Sequence, residues 1–290
     1  MSYPAATSLS GMTALVRTNV PMATSIAHLV VGTSGGVGAS TLAAAVAAAR
    51  AGSGGPSRAQ RGFAGAVHGA TLVDLDLARG GIDVTVGLEH VGGPRWPDLM
   101  RARGRVDGVA LRRLLPQAHD CAVLAANGRR WARPGEDGPG AEPPDRGTVP
   151  STGLPGAVSS VLDALRLAGP PLVIDCPAAR VGEIRRPGDV LVLVGSTSVR
   201  GLADLDAAAA AFADGDPRVG GAVILVLRGG AADDEVLDVI TDQTGVPVFG
   251  HVGEDRRVSR AEARGDWPGL TGSLRRLALD IVDVADELAA

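Results

Sequence analysis

Residues Thr33–Thr41 read TSGGVGAST, between an apolar run, Ile26–Val31, and an alanine-rich run, Ser40–Ala51. A glycine-rich turn between a strand and a helix can fold its backbone amides around phosphate oxygens. The helix that follows aims the positive end of its dipole at the same point. The glycines of this loop free its backbone amides to face phosphate, and Ser40 sits where a Mg²⁺-binding hydroxyl belongs. The residue before that hydroxyl is normally lysine, and here it is Ala39. The chain contains no lysine at all, so its 28 basic residues are all arginine. A simple Lys-to-Arg bias would have put arginine in the loop. Alanine removes the charge outright, and with it a desolvated contact worth on the order of several kcal/mol.

Acids stand where such a loop would need them. Asp74 and Asp76 end the run ATLVDLD, and Asp175 ends the run LVID. Carboxylates at the ends of central strands can hold Mg²⁺ and an attacking water beside a phosphate loop. A single strand-end Asp also serves as a turn or cap acceptor, but three in register with the loop favour chemistry. Asp74, Asp76 and Asp175, with the Ser40 hydroxyl, are therefore the candidates to hold Mg²⁺ and an attacking water between them.

These groups need rigid elements behind them. Apolar strands are expected at Ile26–Val31, Ala70–Asp76, Cys121–Gly128, Pro171–Pro177, Asp189–Ser196, Gly221–Gly230 and Val246–Val252. Helices are expected at Ser40–Ala51, within Trp96–Leu115, and at Ala157–Ala168, Leu202–Ala213, Ala232–Thr241 and Leu270–Leu288. Strands apolar on both faces and alternating with helices predict an α/β fold. It would be a doubly wound, mostly parallel seven-stranded sheet with helices on both faces. Ligands of such sheets lie outside the carboxyl ends of the strands, where the glycine loop falls. Residues 129–156, dense in Pro, Gly and charge, read as a long loop inside one domain spanning 26–290. Residues 1–25 read as a flexible leader or linker.

Composition narrows the class of function. The chain has 290 residues and a formal net charge of −4, with no dense basic stripe, which argues against DNA as a partner. No apolar run reaches the roughly 18–20 residues that span a bilayer, and the first residues lack the pattern of a signal peptide. Cys121 and Cys176 lie in apolar strands and read as small buried hydrophobes of a reducing cytoplasm. His28 reads as an edge or core histidine. Arg79 and Arg200, near strand ends, could stand in for the missing charge but read more simply as solvated helix-cap arginines. The last helix carries Asp280, Asp283 and Glu287 on its polar face. It is expected to pack on the domain rather than anchor in a membrane.

TSGGVGAST, LVDLDLARGGID and LVIDCP follow in order and spacing the motifs of the deviant-Walker-A ATPases, the MinD/ParA group of P-loop NTPases. That group carries K-G-G-x-G-K-[ST], D-x-D and a strand ending in Asp. The stretch GVPVFGHVGEDRRVSRAEARG resembles the group's segment after the last strand, so the likeness runs from about Ile26 to the C-terminus. Within the group the chain resembles the CpaE/TadZ branch and its septum-site-determining and secretion-neighbourhood relatives. There a loop without its lysine, LVDLDLARGGIDVTVGLE, and WPDLMRARGRVDGVALRRLLP before AVLAANG are typical. Many members of that branch carry a receiver-like domain ahead of the ATPase domain, to which residues 1–25 could be the linker.

The resemblance implies binding of ATP or ADP with Mg²⁺. By position, Gly35, Gly36, Val37, Gly38 and Ala39 would supply phosphate-facing amides, and Thr41 would meet the α-phosphate. Ser40, Asp74 and Asp175 would form the metal site, with Asp175 as the Walker B acid, and Asp76 would be the catalytic acid that positions the attacking water. It also implies a homodimer and protein partners in the septum or a pilus/secretion ATPase system. The protein would be cytoplasmic, recruited to the pole, the septum or the inner face of the membrane. The chain departs from the group at three places. Ser34 replaces the lysine that reaches the partner's nucleotide, Ala39 replaces the lysine in cis, and Leu227 and Arg228 stand where an adenine-binding Asn is usual. Weak nucleotide binding and little or no hydrolysis are the expectation, against a true ATPase with arginine or backbone compensation, or an empty interaction module.

Overall fold

In the computed structural model, residues 25–53, 69–77, 81–100, 105–125, 155–213, 222–230 and 232–288 are described below. A single sheet runs through them in the order β3-β4-β2-β5-β1-β6-β7-β8. Its strands are β1 (Ala27–Gly32), β2 (Ala70–Asp74), β3 (Gln117–Ala118), β4 (Cys121–Leu124), β5 (Leu172–Asp175), β6 (Val190–Ser196), β7 (Val223–Arg228) and β8 (Val248–Val252). All neighbours are parallel except β3, which pairs antiparallel with β4. The sheet thus has eight strands, one more than the sequence predicts. The added strand is a two-residue return before β4, turned by His119 and Asp120 at φ of 50° and 59°. Two residues are too few for a hydrophobic period to register.

Helices cover both faces. On one side α1 (Ala39–Ser53) packs against the sheet and under α10 (Gly272–Leu288), with Ala43–Ala49 almost wholly buried. A run of alanines suits this position, because small side chains let a helix sit close to a sheet and a second helix at once. On the other side lie α4 (Gly108–Leu114), α5 (Gly156–Leu167), α6 (Val181–Ile184), α7 (Val199–Ala213) and α8 (Asp234–Thr244). They cover Leu29, Val31, Leu124, Ile174, Leu191 and Leu225. Short helices α2 (Ile82–Thr85) and α3 (Trp96–Leu99) follow β2, and α9 (Arg256–Arg264) follows β8.

The few aromatic side chains act as fasteners near the strand ends. Trp96 Nε1 donates to the Asp74 carbonyl at 2.6 Å, and Trp267 Nε1 to the Ala44 carbonyl at 3.0 Å. Each buried indole thereby satisfies its N–H while covering the core. Cys121 and Cys176 are free and buried, and burial pushes the Cys121 thiol up to about 12 and Cys176 higher still. Both therefore stay protonated. The predicted long loop at 129–156 and the leader at 1–25 lie almost entirely outside the described residues, as does Arg79. Among the described residues no helix is long and apolar enough to cross a membrane.

Candidate functional site

β1 is flanked by β5 and β6; the chain leaves β1 for β2, beyond β5, and later crosses from β5 over β1 to β6 and on to β7, so the winding reverses at β1. Such a switch point opens a crevice at the carboxyl ends of the strands, and residues 33–38 occupy it. The loop begins by hydrogen-bonding the neighbouring strand, Thr33 N–H to the Val194 carbonyl at 3.0 Å, and ends as Leu42 N–H reaches the Gly38 carbonyl at 2.9 Å. Gly36 and Gly38 hold φ of 79° and 85°, a region that any other residue enters only with strain. Val37 between them is buried and pins the loop to the α1 side of the core. A Cβ on Gly35 or Gly36 would meet nothing within 4 Å, so this part of the loop faces open space.

The acids approach from β2 and β5, which pair in register at Asp74 and Asp175. Burial pushes the Asp175 carboxyl up to about 6, the neighbouring Ser40 hydroxyl steadies its ionised form in part, and the Asp76 charge close by adds to the rise. Ser40, Asp76 and Asp175 are thus brought together at the foot of the loop. Asp74 is held by backbone amides. Its two carboxylate oxygens accept the backbone N–H groups of Asp76 at 2.8 Å and Ile82 at 2.9 Å, tying β2 to α2. It is 1% exposed, and these two bonds shape the turn that presents Asp76.

Thr41 is also engaged. Its hydroxyl donates to Glu262 Oε1 of α9 at 2.6 Å, which brings a carboxylate to the end of the loop. Arg200 is exposed on the first turn of α7, whereas Arg228, at the end of β7, donates from Nη1 to the Gly36 carbonyl at 3.3 Å. Sequence reasoning weighed Arg79 and Arg200 as replacement cations and missed Arg228. The only clue along the chain was its place at the end of an apolar strand.

The chemistry of this donor set fits a phosphate ester bound with a hard divalent cation. It combines a hydroxyl, a buried carboxylate and a glycine cradle before a helix, the kinds of group Mg²⁺ and phosphate select. Among the described residues there is no cluster of three or more His, Cys, Asp or Glu side chains able to hold a metal alone. Phosphate oxygens and water would complete such a coordination sphere, as they usually do for Mg²⁺.

The architecture matches solved proteins closely enough to define its class. A ParA family ATPase from Chlorobium tepidum superposes with a TM-score of 0.63 at 14% identity, over 88% of this chain and 96% of that one. The MinD cell division protein of Aquifex aeolicus gives 0.59 at 16% identity, over 91% and 97%. An ATP complex of Cyanothece McdA gives 0.54 at 12% identity, over 91% and 97%. The fold is that of the MinD/ParA ATPases. By sequence, an uncharacterized protein of Mycobacterium tuberculosis, found in two strains, is 30% identical over 223 residues, or 76% of this chain. The chain spans about half, 52%, of the length of that relative. No protein-family profile matches the sequence.

Proposed function

We propose that the protein is a MinD/ParA-like spatial regulator or scaffold that binds ATP or ADP with Mg²⁺ and hydrolyses ATP slowly or not at all. The observation that carries this reading is the meeting of the Ser40 hydroxyl with the buried Asp175 carboxylate at the foot of a glycine loop that lacks its lysine. Ser40 and Asp175 hold the cation, Asp76 orients a water, and the amides of residues 35–41 hold the phosphates. Bound Mg²⁺ would draw charge from the phosphates. Asp74 keeps Asp76 in place, and the Thr41 hydroxyl leaves Glu262 for the α-phosphate when nucleotide enters.

Ser34 and Ala39 set the limit on turnover. Stabilising the charge that grows on a transferring phosphoryl group is the chief task of a phosphoryl-transfer site. This loop brings no lysine to it, in cis or from a second subunit. The protein therefore acts by occupancy, as a homodimer that recruits partners at the septum or in a Flp/Tad pilus or secretion system of the CpaE/TadZ type. Isothermal titration with ATP·Mg²⁺ beside a phosphate-release assay tests the reading. Saturable binding with negligible release is the expected outcome, robust turnover would sink it, and absence of binding would leave an interaction module with an empty loop.

A further inference from the structure

Among the described residues the buried arginines Arg95, Arg112 and Arg166 each hold several carboxylate, hydroxyl or carbonyl partners, whereas Arg228 lies on the loop with one carbonyl. Arg228 ends β7, with β6 between it and β1, so two strand spacings (about 9.5 Å) separate its backbone from the strand that carries the loop. Its side chain crosses the end of β6. Nη1 donates to the Gly36 carbonyl at 3.3 Å, and a Cβ placed on Gly38 would come within 2.6 Å of that nitrogen and 3.4 Å of Cζ. The guanidinium therefore rests on the bare backbone of two glycines, and a Cβ on Gly38 would push its tip aside. The backbone beneath is fixed, since the Arg228 carbonyl accepts Thr197 N–H at 3.1 Å and Gly229 N–H reaches Val252 at 3.2 Å. Among the described residues no carboxylate pairs with Arg228, and a single bond to a carbonyl leaves most of its five N–H donors unspent.

We propose that Arg228 is the phosphate-binding cation of this site. From a neighbouring strand, its guanidinium supplies the charge that Ala39 does not, and it binds the terminal phosphates of a nucleoside di- or triphosphate. This rests on the nucleotide reading above and adds to it the group that discriminates phosphate number. Three features support it. A guanidinium stays charged at all relevant pH and presents a planar fork that matches phosphate oxygens. It is close to the loop without being neutralised there. A residue with a short, uncharged side chain at position 39 leaves the phosphate-facing space free, where a lysine would repel a second cation.

Calorimetric titration of the full chain with AMP, ADP·Mg²⁺ and ATP·Mg²⁺ tests the proposal, on wild type, R228A, R228Q, R228K and the double variant A39K/R228A. Wild type should gain affinity with each added phosphate. R228A and R228Q should lose about tenfold or more for ADP and ATP, the scale of one charged hydrogen bond, while AMP changes little. R228K should keep part of the gain, and A39K/R228A should recover part of it by restoring a lysine to the loop. R228Q preserves size and polarity, so a loss seen there and in R228A with unchanged thermal unfolding is a loss of charge. Equal affinity of wild type and R228Q for ATP overturns the proposal while the nucleotide site stands. So does an equal loss for AMP and ATP, which would make Arg228 a contact to the base or a prop for the loop. If wild type binds none of the three, the nucleotide reading falls and this proposal with it.

Discussion

The two ends of the sheet treat charge in opposite ways. At the amino end, Arg166 and Asp189 form a bidentate pair at 2.7 and 2.8 Å, both almost fully buried. Asp189 also accepts the N–H groups of Ala27 at 3.0 Å and Arg186 at 2.8 Å, and Arg166 reaches the Ile184 carbonyl at 3.3 Å. These groups are saturated, and they lock the starts of β1 and β6 to the end of α5. At the carboxyl end, buried Asp175 has a serine hydroxyl and an acidic neighbour, and Arg228 has one carbonyl. Charges that only hold a fold together are closed off by their partners. Charges left with capacity, at a switch point beside a glycine loop, are placed for a ligand.

Breaking the closed end should cost most. Arg166→Ala strands a buried carboxylate and should destabilise the protein by roughly 3–5 kcal/mol, read as a lowered urea midpoint with unchanged slope. At the open end the sign reverses. The Asp175 carboxyl is raised from 3.8 to about 6 in the fold, so its ionised form costs stability above pH 6, and that cost fades as pH falls through 6 toward 3.8. Asp175→Asn should therefore stabilise the ligand-free protein at pH 7.5 by about 1–3 kcal/mol. The gain should vanish near pH 4, and Mg²⁺-dependent nucleotide binding should be abolished. A destabilised Asp175→Asn would mean that this carboxylate belongs to the closed class.

His28 offers a smaller, graded test. It is buried on β1, with Arg50 Nη2 2.9 Å from its Nε2. Burial and then the Arg50 charge lower its pKa from 6.5 to about 3. The unfolded chain takes up this proton below pH 6.5 and the folded one does not, so stability should fall as pH drops from 6.5 toward 3. His28→Gln should flatten that part of the profile of thermal midpoint against pH. The smallest effect concerns Glu262, whose carboxylate holds the Thr41 hydroxyl near the proposed α-phosphate position. Glu262→Gln removes a negative charge there and should tighten ATP·Mg²⁺ binding a few-fold in calorimetry. Unchanged or weaker binding would place Glu262 outside the site's electrostatics.

The sequence made some of this arrangement legible. The alternation of apolar strands with helices, and the positions of the loop, Asp76 and Asp175, follow from local patterns that the tertiary structure preserves. What it could not show depends on neighbours in space. The pairing of Gln117–Ala118 leaves no periodic trace, and the charge-rich helix Arg256–Arg264 has no apolar stripe to announce it. Asp74 and Asp76 look equivalent along the chain, yet the backbone N–H groups of Asp76 and Ile82 converge on one of them only. Arg228 looks like a missing adenine contact until strand order brings β7 within reach of the loop.

The central claim is that the site holds nucleotide without turning it over. The direct test incubates excess protein with γ-labelled ATP and Mg²⁺, separates bound from free nucleotide, and identifies what is bound over time. The account predicts retained label recovered as intact ATP. Steady conversion to ADP and phosphate, or no retained nucleotide at all, would contradict it.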